Sequence, residues 1–277
     1  MHSNSYHIEL KGGRKIFFRY WCVENPKLCV CIIHGLGDHS GRYQFLVDFL
    51  NSKQITVCAI DYSGHGLATG LRGHIPSFET VYNEIDVMIA EAGKHAINIP
   101  IVLYGHSMGG NILLNYYIAR KPILKGLIVT SPWFKINLEP IKPLINFVRF
   151  LQILAPRFSF NSQIKSIDLS RDANVLMDLK NDPLVHQKIS SRLFILAYNN
   201  GKRVSSQGYR MSVPLLLMHG SADQITSHKA SVEFSRNTGH YTTFKSWTDA
   251  PHELHNDVIR NEVFEYISAW IDEKVLC

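Results

Sequence analysis

The chain has 277 residues, of which 45% are hydrophobic and 19% are charged, and its formal net charge is +6. This apolar content excludes a disordered or collagen-like chain, and the length suits one large domain with a sizeable core. No uninterrupted apolar run exceeds six residues, whereas a membrane-spanning helix needs roughly twenty.

Strands are predicted where apolar residues run together with β-branched or aromatic side chains. In chain order, these segments are 15–20, 28–33, 55–60, 101–104, 124–130, 213–218 and 241–245. Helical spacing is clearest over 78–92, with Ser77 as its N-cap, and helices are also predicted over 43–51 and 257–272. The alternation predicts an α/β protein with a mostly parallel central sheet flanked by helices, and Gly12-Gly13 adds an antiparallel hairpin at the start.

The alternation stops after residue 130, because residues 131–212 hold several prolines and no clear strand-helix-strand unit. We therefore predict a core made of residues 1–130 and 213–277, interrupted by a mainly helical cap over 131–212. Within the cap, residues 143–155 form an amphipathic helix that includes Leu151 and has an unusually wide apolar arc. Such a helix either packs inside the protein or acts as a lid that faces an apolar ligand or a membrane.

The positive charge of the chain is concentrated in the predicted cap. Residues 131–212 contain 12 Lys and Arg and 5 Asp and Glu, a net charge of +7, while the remainder has a net charge of −1. These basic residues are dispersed and no nucleic-acid-binding motif accompanies them, so we expect no nucleic-acid partner. An anionic membrane surface beside the apolar helix fits better, and we predict peripheral membrane contact through the cap.

The first six residues contain neither the basic nor the apolar region of a secretion signal, so we expect a cytoplasmic protein. The five cysteines are an odd number without C-x-x-C spacing, which disfavours a zinc site, and we expect no metal. Cys29 and Cys31 are predicted to be small buried thiols in a strand.

Residues 105–109 match the G-x-S-x-G pattern, which is a weak signal by itself. Its context strengthens it, because the predicted strand 101–104 precedes the pattern and helical spacing over 110–117 follows. Strand, sharp turn and helix make the geometry of a nucleophile elbow. Ser107 is therefore the candidate nucleophile, at a helix N-terminus where the dipole favours developing negative charge.

A serine hydroxyl needs a general base near neutrality and a carboxylate that orients this base. Asp223 follows the strand 213–218 and His252 follows the strand 241–245, at the sheet edge where Ser107 also emerges. Asp223 could instead cap the helix after it, and His255 is the rival base. We favour His252 because it lies at the tip of its loop.

The tetrahedral intermediate of acyl transfer needs two N–H donors, each of which contributes typically about 3 to 4 kcal/mol. One donor in this kind of site is the residue after the nucleophile, here Met108. The other comes from a loop after an early strand, and His34-Gly35-Leu36-Gly37 directly follows the strand 28–33. Leu36 is therefore the predicted second donor.

Other classes of function have less support. Phosphate-binding patterns such as G-x-x-x-x-G-K-[ST] are absent, and we expect no nucleotide and no other cofactor. His252 and His255 are three residues apart, not four as in the H-E-x-x-H pattern of zinc proteases. A hydrolase fold that only binds lipid is the main non-enzymatic alternative, which the complete set of catalytic residue types disfavours.

Several segments together resemble the monoacylglycerol lipase and lysophospholipase group of α/β-hydrolases. They are residues 34–43, 61–66, 105–110, 181–184, 220–223 and 252–255, and the match extends from about residue 6 to residue 272. The resemblance implies an α/β-hydrolase fold with Ser107, Asp223 and His252 as the catalytic triad and the Leu36 and Met108 N–H groups as the oxyanion hole. It also implies that the apolar helix of the cap admits a long acyl chain.

The resemblance further implies which residues contact the substrate. In this group the arginine of H-S-G-R-Y and the second histidine of H-x-L-H lie near the glycerol, and these positions are Arg42 and His255 here. Leu151 of the cap helix and Leu179 complete the predicted substrate-binding residues. Leu179 stands where some members carry a tyrosine that contacts glycerol, and Ala68 replaces the serine that usually follows G-H-G-x, so this chain departs from the group near the headgroup.

We therefore expect a serine hydrolase that cleaves a long-chain monoacyl ester, with a monoacylglycerol as the first candidate substrate. A lysophospholipase is the alternative, since an anionic or zwitterionic headgroup would suit the basic cap. An esterase or thioesterase for shorter acyl groups and a non-catalytic lipid-binding protein are the further alternatives.

Overall fold

A computed structural model of the chain describes residues 2–96 and 98–277. Ten strands are described in this part of the chain, and β7 and β8 pair as a ribbon apart from the central sheet. The strands are β1 (His2–Glu9), β2 (Lys15–Cys22), β3 (Leu28–Ile33), β4 (Ile55–Asp61), β5 (Ile101–His106), β6 (Gly126–Thr130), β7 (Ser159–Asn161), β8 (Lys188–Ser190), β9 (Leu215–Gly220) and β10 (Thr242–Trp247).

The order of strands across the central sheet is β1-β2-β4-β3-β5-β6-β9-β10. All neighbours from β4 to β10 pair in parallel, whereas β1 with β2 and β2 with β4 pair antiparallel. The predicted parallel sheet and its opening hairpin are thereby confirmed. Ile33 of β3 pairs with Gly105 of β5, so the loops that follow these two strands emerge side by side at the carboxyl edge.

Helices cover both faces of the sheet. They are α1 (Gln44–Ser52), α2 (Phe78–His95), α3 (Met108–Arg120), α4 (Lys142–Leu154), α5 (Ala173–Asn181), α6 (Ser191–Ser205), α7 (His228–Arg236) and α8 (Arg260–Lys274). Buried side chains of α1 and α8 pack on one face, and those of α2, α3, α6 and α7 pack on the other. Ser77 caps α2 as predicted, since its side chain accepts from the Thr80 N–H.

The helix α6 lies in a segment for which the sequence showed no clear element. Its sequence includes two asparagines, two serines and Gly201, which are weak helix formers, so its helical state depends on tertiary packing. A Cβ atom at Gly201 would overlap the backbone carbonyls of Trp133 and Phe134. The glycine thus allows the helix to approach this backbone closely.

The segment 131–212 contains α4, α5, α6 and the β7–β8 ribbon. Its last helix is continuous with the core: Leu193 and Ala197 of α6 belong to the apolar cluster that also holds α3. The Asn111 side-chain amide of α3 donates to the Ala197 carbonyl over 2.8 Å. The boundaries of the cap at residues 131 and 212 stay a prediction.

Candidate active site

Ser107 lies at a sharp turn between β5 and α3, with a backbone φ of 55° and ψ of −117°. A positive φ is unfavourable for serine and persists only where the surrounding structure holds it. The Ser107 N–H donates to the Thr130 carbonyl over 2.9 Å. Gly109 is needed at its position because a Cβ atom there would overlap the backbone carbonyls of Ile33 and His34. The strand-turn-helix geometry predicted around Ser107 is therefore present.

Asp223 and His252 are hydrogen-bonded to each other at the carboxyl edge of the sheet. They follow β9 and β10 respectively, and the His252 Nδ1 atom lies 2.7 Å from Asp223 Oδ2. Because an ionised carboxylate only accepts hydrogen bonds, Nδ1 carries the proton and Nε2 can accept one. The Ser131 hydroxyl donates to the His252 carbonyl over 2.8 Å and holds the loop in place.

The buried carboxylate of Asp223 is stabilised in its charged form. Burial alone raises the pKa of Asp223, but the His252 and His219 rings outweigh it and hold this pKa well below its usual range. The N–H groups of Ile225 and Thr226 also donate to Oδ1, over 2.7 and 3.0 Å. Asp223 can therefore orient a histidine and stabilise its imidazolium form.

The helix that follows Asp223 has a different cap. The Ser227 side chain accepts from the Ala230 N–H over 3.3 Å at the start of α7. Asp223 is thus free of the competing role considered from the sequence.

The sequence reasoning missed a second histidine on the same aspartate. His219 is fully buried near the end of β9, and its Nε2 atom donates to Asp223 Oδ2 over 3.0 Å. Since Nε2 carries the proton, Nδ1 accepts from the Ser231 hydroxyl, 2.8 Å away. The available signal was a polar side chain at the end of an otherwise apolar strand, four residues before Asp223.

Leu36 and Met108 lie beside the candidate nucleophile. Met108 directly follows Ser107 as the first residue of α3. Gly35, which precedes Leu36, packs closely against Ser107, since a Cβ atom added to Gly35 would lie 3.4 Å from Ser107 Cβ. Within the described residues, neither the Leu36 N–H nor the Met108 N–H donates to a backbone carbonyl. Both amides are therefore available to a substrate oxygen.

Ser107 and His252 line one cavity of about 340 Å³. Its wall combines the loops after β3, β5 and β10 with parts of the segment 131–212. The apolar lining residues are Leu36, Ile164, Leu169, Leu179 and Val185, and the charged ones are Asp38, Arg42, Lys180, Asp182 and Glu253. The cavity thus offers both an apolar and a charged surface near Ser107.

Arg42 reaches the cavity but is already bound by two carboxylates. Its guanidinium donates to both Glu253 oxygens over 2.8 and 2.7 Å and to Asp38 Oδ1 over 3.0 Å. We call these three residues the Arg42 patch. Glu253 directly follows His252 in the chain, so the patch adjoins the candidate base.

The structure brings Arg42 and Leu179 to the cavity wall, but not His255 or Leu151. His255 is buried behind the wall, with its ring stacked on Tyr43 at a centroid distance of 4.5 Å. Within the described residues, neither of its ring nitrogens has a hydrogen-bond partner. Burial lowers the pKa of His255 to about 4, so it is neutral near pH 7. The substrate contacts of His255 and Leu151 stay predictions.

Cys29 and Cys31 are unpaired, fully buried thiols of β3, as predicted. Within residues 2–96 and 98–277, no group of three or more His, Cys, Asp or Glu side chains could hold a metal ion. None of the helices described in the same ranges is long and apolar enough to cross a membrane.

Residues 24–259 match the protein family described as serine aminopeptidase, S33. The chain belongs to this family. An uncharacterised abhydrolase domain-containing protein of Dictyostelium discoideum is 34% identical over 261 residues, which are 93% of this chain but only 28% of that protein. Phospholipase YtpA of Bacillus subtilis is 29% identical over 260 residues, covering 92% of this chain and 99% of that protein.

A solved structure shows the same fold along almost the whole length of this family member. The crystal structure of Paleococcus ferrophilus monoacylglycerol lipase matches with a TM-score of 0.85 and 29% identity, covering 94% of this chain and 99% of that chain. The predicted α/β-hydrolase fold and the resemblance to the monoacylglycerol lipase group are thereby confirmed. This family member is a hydrolase.

Proposed function

We propose that this hydrolase is a serine esterase that cleaves long-chain monoacylglycerols into fatty acid and glycerol, with Ser107, Asp223 and His252 as its triad. The observation that carries the proposal is a single cavity wall that holds Ser107 on a strained turn and His252 bonded to a buried, charged Asp223. The similarity to the Paleococcus monoacylglycerol lipase supports the choice of substrate.

The proposed reaction follows from these positions. His252 Nε2 takes the Ser107 proton while Oγ attacks the ester carbonyl, and the imidazolium then protonates the leaving glycerol oxygen. Asp223 holds the ring in the required tautomer and stabilises its positive charge. Water, deprotonated by the same histidine, then hydrolyses the acyl-enzyme.

The negative oxygen of each tetrahedral intermediate is stabilised by the Leu36 and Met108 N–H groups. Removal of one such donor typically costs about 3 to 4 kcal/mol of transition-state stabilisation. The N-terminus of α3 adds a favourable dipole at the same place.

The apolar lining of the cavity favours a long acyl chain. Each buried CH₂ group contributes roughly 0.8 kcal/mol, and Ile164, Leu169 and Leu179 supply an apolar surface near Ser107. We therefore expect kcat/KM to rise with acyl length, which separates this function from that of a short-chain esterase or thioesterase.

A lysophospholipase is the second candidate function. It is favoured by the similarity to phospholipase YtpA along 92% of this chain and by the net charge of +7 over residues 131–212. In that case the same triad would act on an ester whose leaving group carries a phosphate.

The test compares fatty acid release from a long-chain monoacylglycerol and a lysophosphatidylcholine with the same acyl chain. We expect Ser107→Ala to fold normally and to lose turnover by a factor of at least about 10⁴, because the nucleophile is gone. Ser52→Ala, on the exposed side of α1, is the matched control and should retain full activity.

A fluorophosphonate probe separates an enzyme from a lipid-binding protein, since it should label the wild type but not Ser107→Ala. Retained turnover in Ser107→Ala would contradict the triad. Preference for the phospholipid would keep the triad and favour the second candidate.

We further propose that α4 contacts a membrane surface. Only Ile145 and Val148 of this helix are buried, so it does not pack inside the protein. Its exposed apolar residues are Leu144, Phe147, Phe150, Ile153 and Leu154. Lys142 and Arg149 flank this surface on the same helix, as expected for binding to an anionic interface.

A further inference from the structure

The cavity wall is acidic although the surrounding segment is basic. Of the 12 Lys and Arg in residues 131–212, Lys180 alone lines the cavity. The cavity is also lined by Arg42 and by three carboxylates, those of Asp38, Asp182 and Glu253. The Asp, Glu, Lys and Arg side chains of this lining sum to a charge of −1, so the positive charge of the segment does not reach the site of ester cleavage.

The guanidinium of Arg42 would be a natural ligand for a phosphate group, because its planar fork matches phosphate and carboxylate oxygens alike. Here the fork is filled by the two oxygens of Glu253, and Asp38 takes a further donor. The side chains of Arg42 and Glu253 are only 10% and 4% exposed, so solvent screens the pair weakly.

We propose that Glu253 is a specificity-determining residue, which occupies Arg42 and thereby excludes phosphate-bearing monoacyl lipids in favour of uncharged ones. The inference rests on the proposed function and selects between its two candidate substrates. A phosphate beside the Arg42 patch would meet two carboxylates and one guanidinium, a net charge of −1, inside a weakly screened wall. An uncharged glycerol is not repelled by these carboxylates and can hydrogen-bond to the same groups.

The Glu253 side chain is an ionised carboxylate near neutral pH. Burial alone raises the pKa of this carboxyl group, but the Arg42 guanidinium outweighs it and holds the pKa below its usual value. Asn256 also donates to Glu253 Oε2 over 2.9 Å, which fixes the carboxylate toward the arginine. The exclusion therefore operates under ordinary assay conditions.

The experiment uses 1-palmitoylglycerol and 1-palmitoyl-lysophosphatidic acid, two substrates that differ only by a phosphate group. The kcat/KM for each is measured in the same neutral detergent micelles, and the phosphate-to-neutral ratio is compared between variants. We expect the wild type to favour 1-palmitoylglycerol and Glu253→Gln to raise the ratio about tenfold, since it releases Arg42 without changing side-chain size. Glu265→Gln, an exposed charge change on α8, is the matched control and should leave the ratio unchanged.

Asp182→Asn provides a second variant in case Glu253→Gln does not fold. Asp182 lines the same cavity but is partly exposed, so its loss should raise the ratio in the same direction by a smaller factor. An unchanged ratio in folded Glu253→Gln, or in Asp182→Asn where that variant is used, overturns the inference. A wild type that prefers the lysophosphatidic acid also overturns it but leaves the esterase in place, whereas hydrolysis of neither lipid refutes the proposed function itself.

Discussion

At the scale of single residues, the unusual feature is one carboxylate that serves two histidines. His252 and His219 both donate to Asp223 Oδ2, over 2.7 and 3.0 Å. The charge of Asp223 is therefore shared between a ring that lines the cavity and a ring locked in the core. His219 limits how strongly this charge acts on His252 and fixes the orientation of the carboxylate.

Replacement of His219 should change the pH dependence of catalysis. In His219→Leu the Asp223 carboxylate loses one hydrogen-bond donor, so it interacts more strongly with the imidazolium form of His252. We expect kcat/KM to drop roughly tenfold and its acidic limb to move to higher pH. The pH–rate profile measured with a long-chain monoacylglycerol checks both effects.

The control for this prediction is His219→Gln, whose amide can still donate to Asp223 and should restore much of the wild-type profile. Thermal unfolding of both variants separates a loss of stability from a change in the site. An unchanged acidic limb in folded His219→Leu would show that His219 plays no part in tuning the pair.

At the scale of elements, α4 carries its apolar side chains outward. Phe147 and Phe150 are 58% and 59% exposed, and the flanking Lys142 and Arg149 are exposed as well. An exposed apolar surface of this kind marks a site of interaction. In the proposed membrane contact, the basic side chains of residues 131–212 would attract an anionic surface, while the cavity wall inside the same segment carries little of that charge.

Phe147→Ser/Phe150→Ser should weaken membrane binding. Transfer of two half-exposed phenylalanines into a bilayer contributes on the order of 2 kcal/mol, so we expect at least a tenfold loss of vesicle binding. The measurement is sedimentation with phosphatidylglycerol-containing vesicles and with phosphatidylcholine vesicles, at low and high salt. Wild-type binding should favour the anionic vesicles and weaken with salt.

Ile123→Ser is the control for the double variant, because Ile123 is fully exposed but precedes β6 at the opposite edge of the sheet. This variant should bind like the wild type. Equal recovery of the wild-type protein with both vesicle types at low salt would exclude the electrostatic part of the proposal.

At the scale of the whole molecule, the fold buries His106 in the cavity wall and His255 behind it, both in neutral form. Burial lowers the pKa of His255 to about 4, and burial with nearby histidines holds the pKa of His106 well below its usual value. Between pH 6.5 and about 4 the unfolded chain binds a proton at His255 that the folded chain excludes. The free energy of unfolding therefore falls as the pH falls through this window.

We expect His255 alone to remove about 2 kcal/mol from the free energy of unfolding between pH 7 and pH 5. His255→Phe keeps the ring that stacks on Tyr43 but cannot be protonated, so its stability should depend less on pH by that amount. Denaturant unfolding at both pH values is the measurement. His240→Asn, at an exposed position, is the control, and equal pH dependence in wild type and His255→Phe would contradict the prediction.

Much of the candidate site could be predicted because its residues follow strands. Ser107 is marked by a local pattern of five residues, and Asp223 and His252 come directly after apolar runs that end at one sheet edge. The position of each residue after its strand was sufficient to predict that the three lie close together, because parallel strands place the loops that follow them at one edge of the sheet. The glycine at 109 belongs to the same local signal, since its neighbours across the sheet leave no room for a Cβ atom.

The contacts around the cavity depend on residues far apart in the chain. Arg42 and Glu253 are 211 positions apart, and no pattern in either segment indicates that they pair. His255 has the same residue type and spacing whether it faces a substrate or stacks on Tyr43 behind the cavity wall. The helical state of α6 likewise depends on its packing against α3.

The fold class, the nucleophile elbow and the order of the candidate triad can be read from the amino-acid sequence, because short-range periodicity and turn chemistry encode them. Which charges face the cavity, which histidines are buried and which face of α4 remains exposed follow from the packing of the folded chain. These properties depend on side chains from distant segments that meet only once the chain has folded. The charge and burial of a site therefore depend on contributions from many segments of the folded chain. Composition and residue spacing do not specify which segments these are.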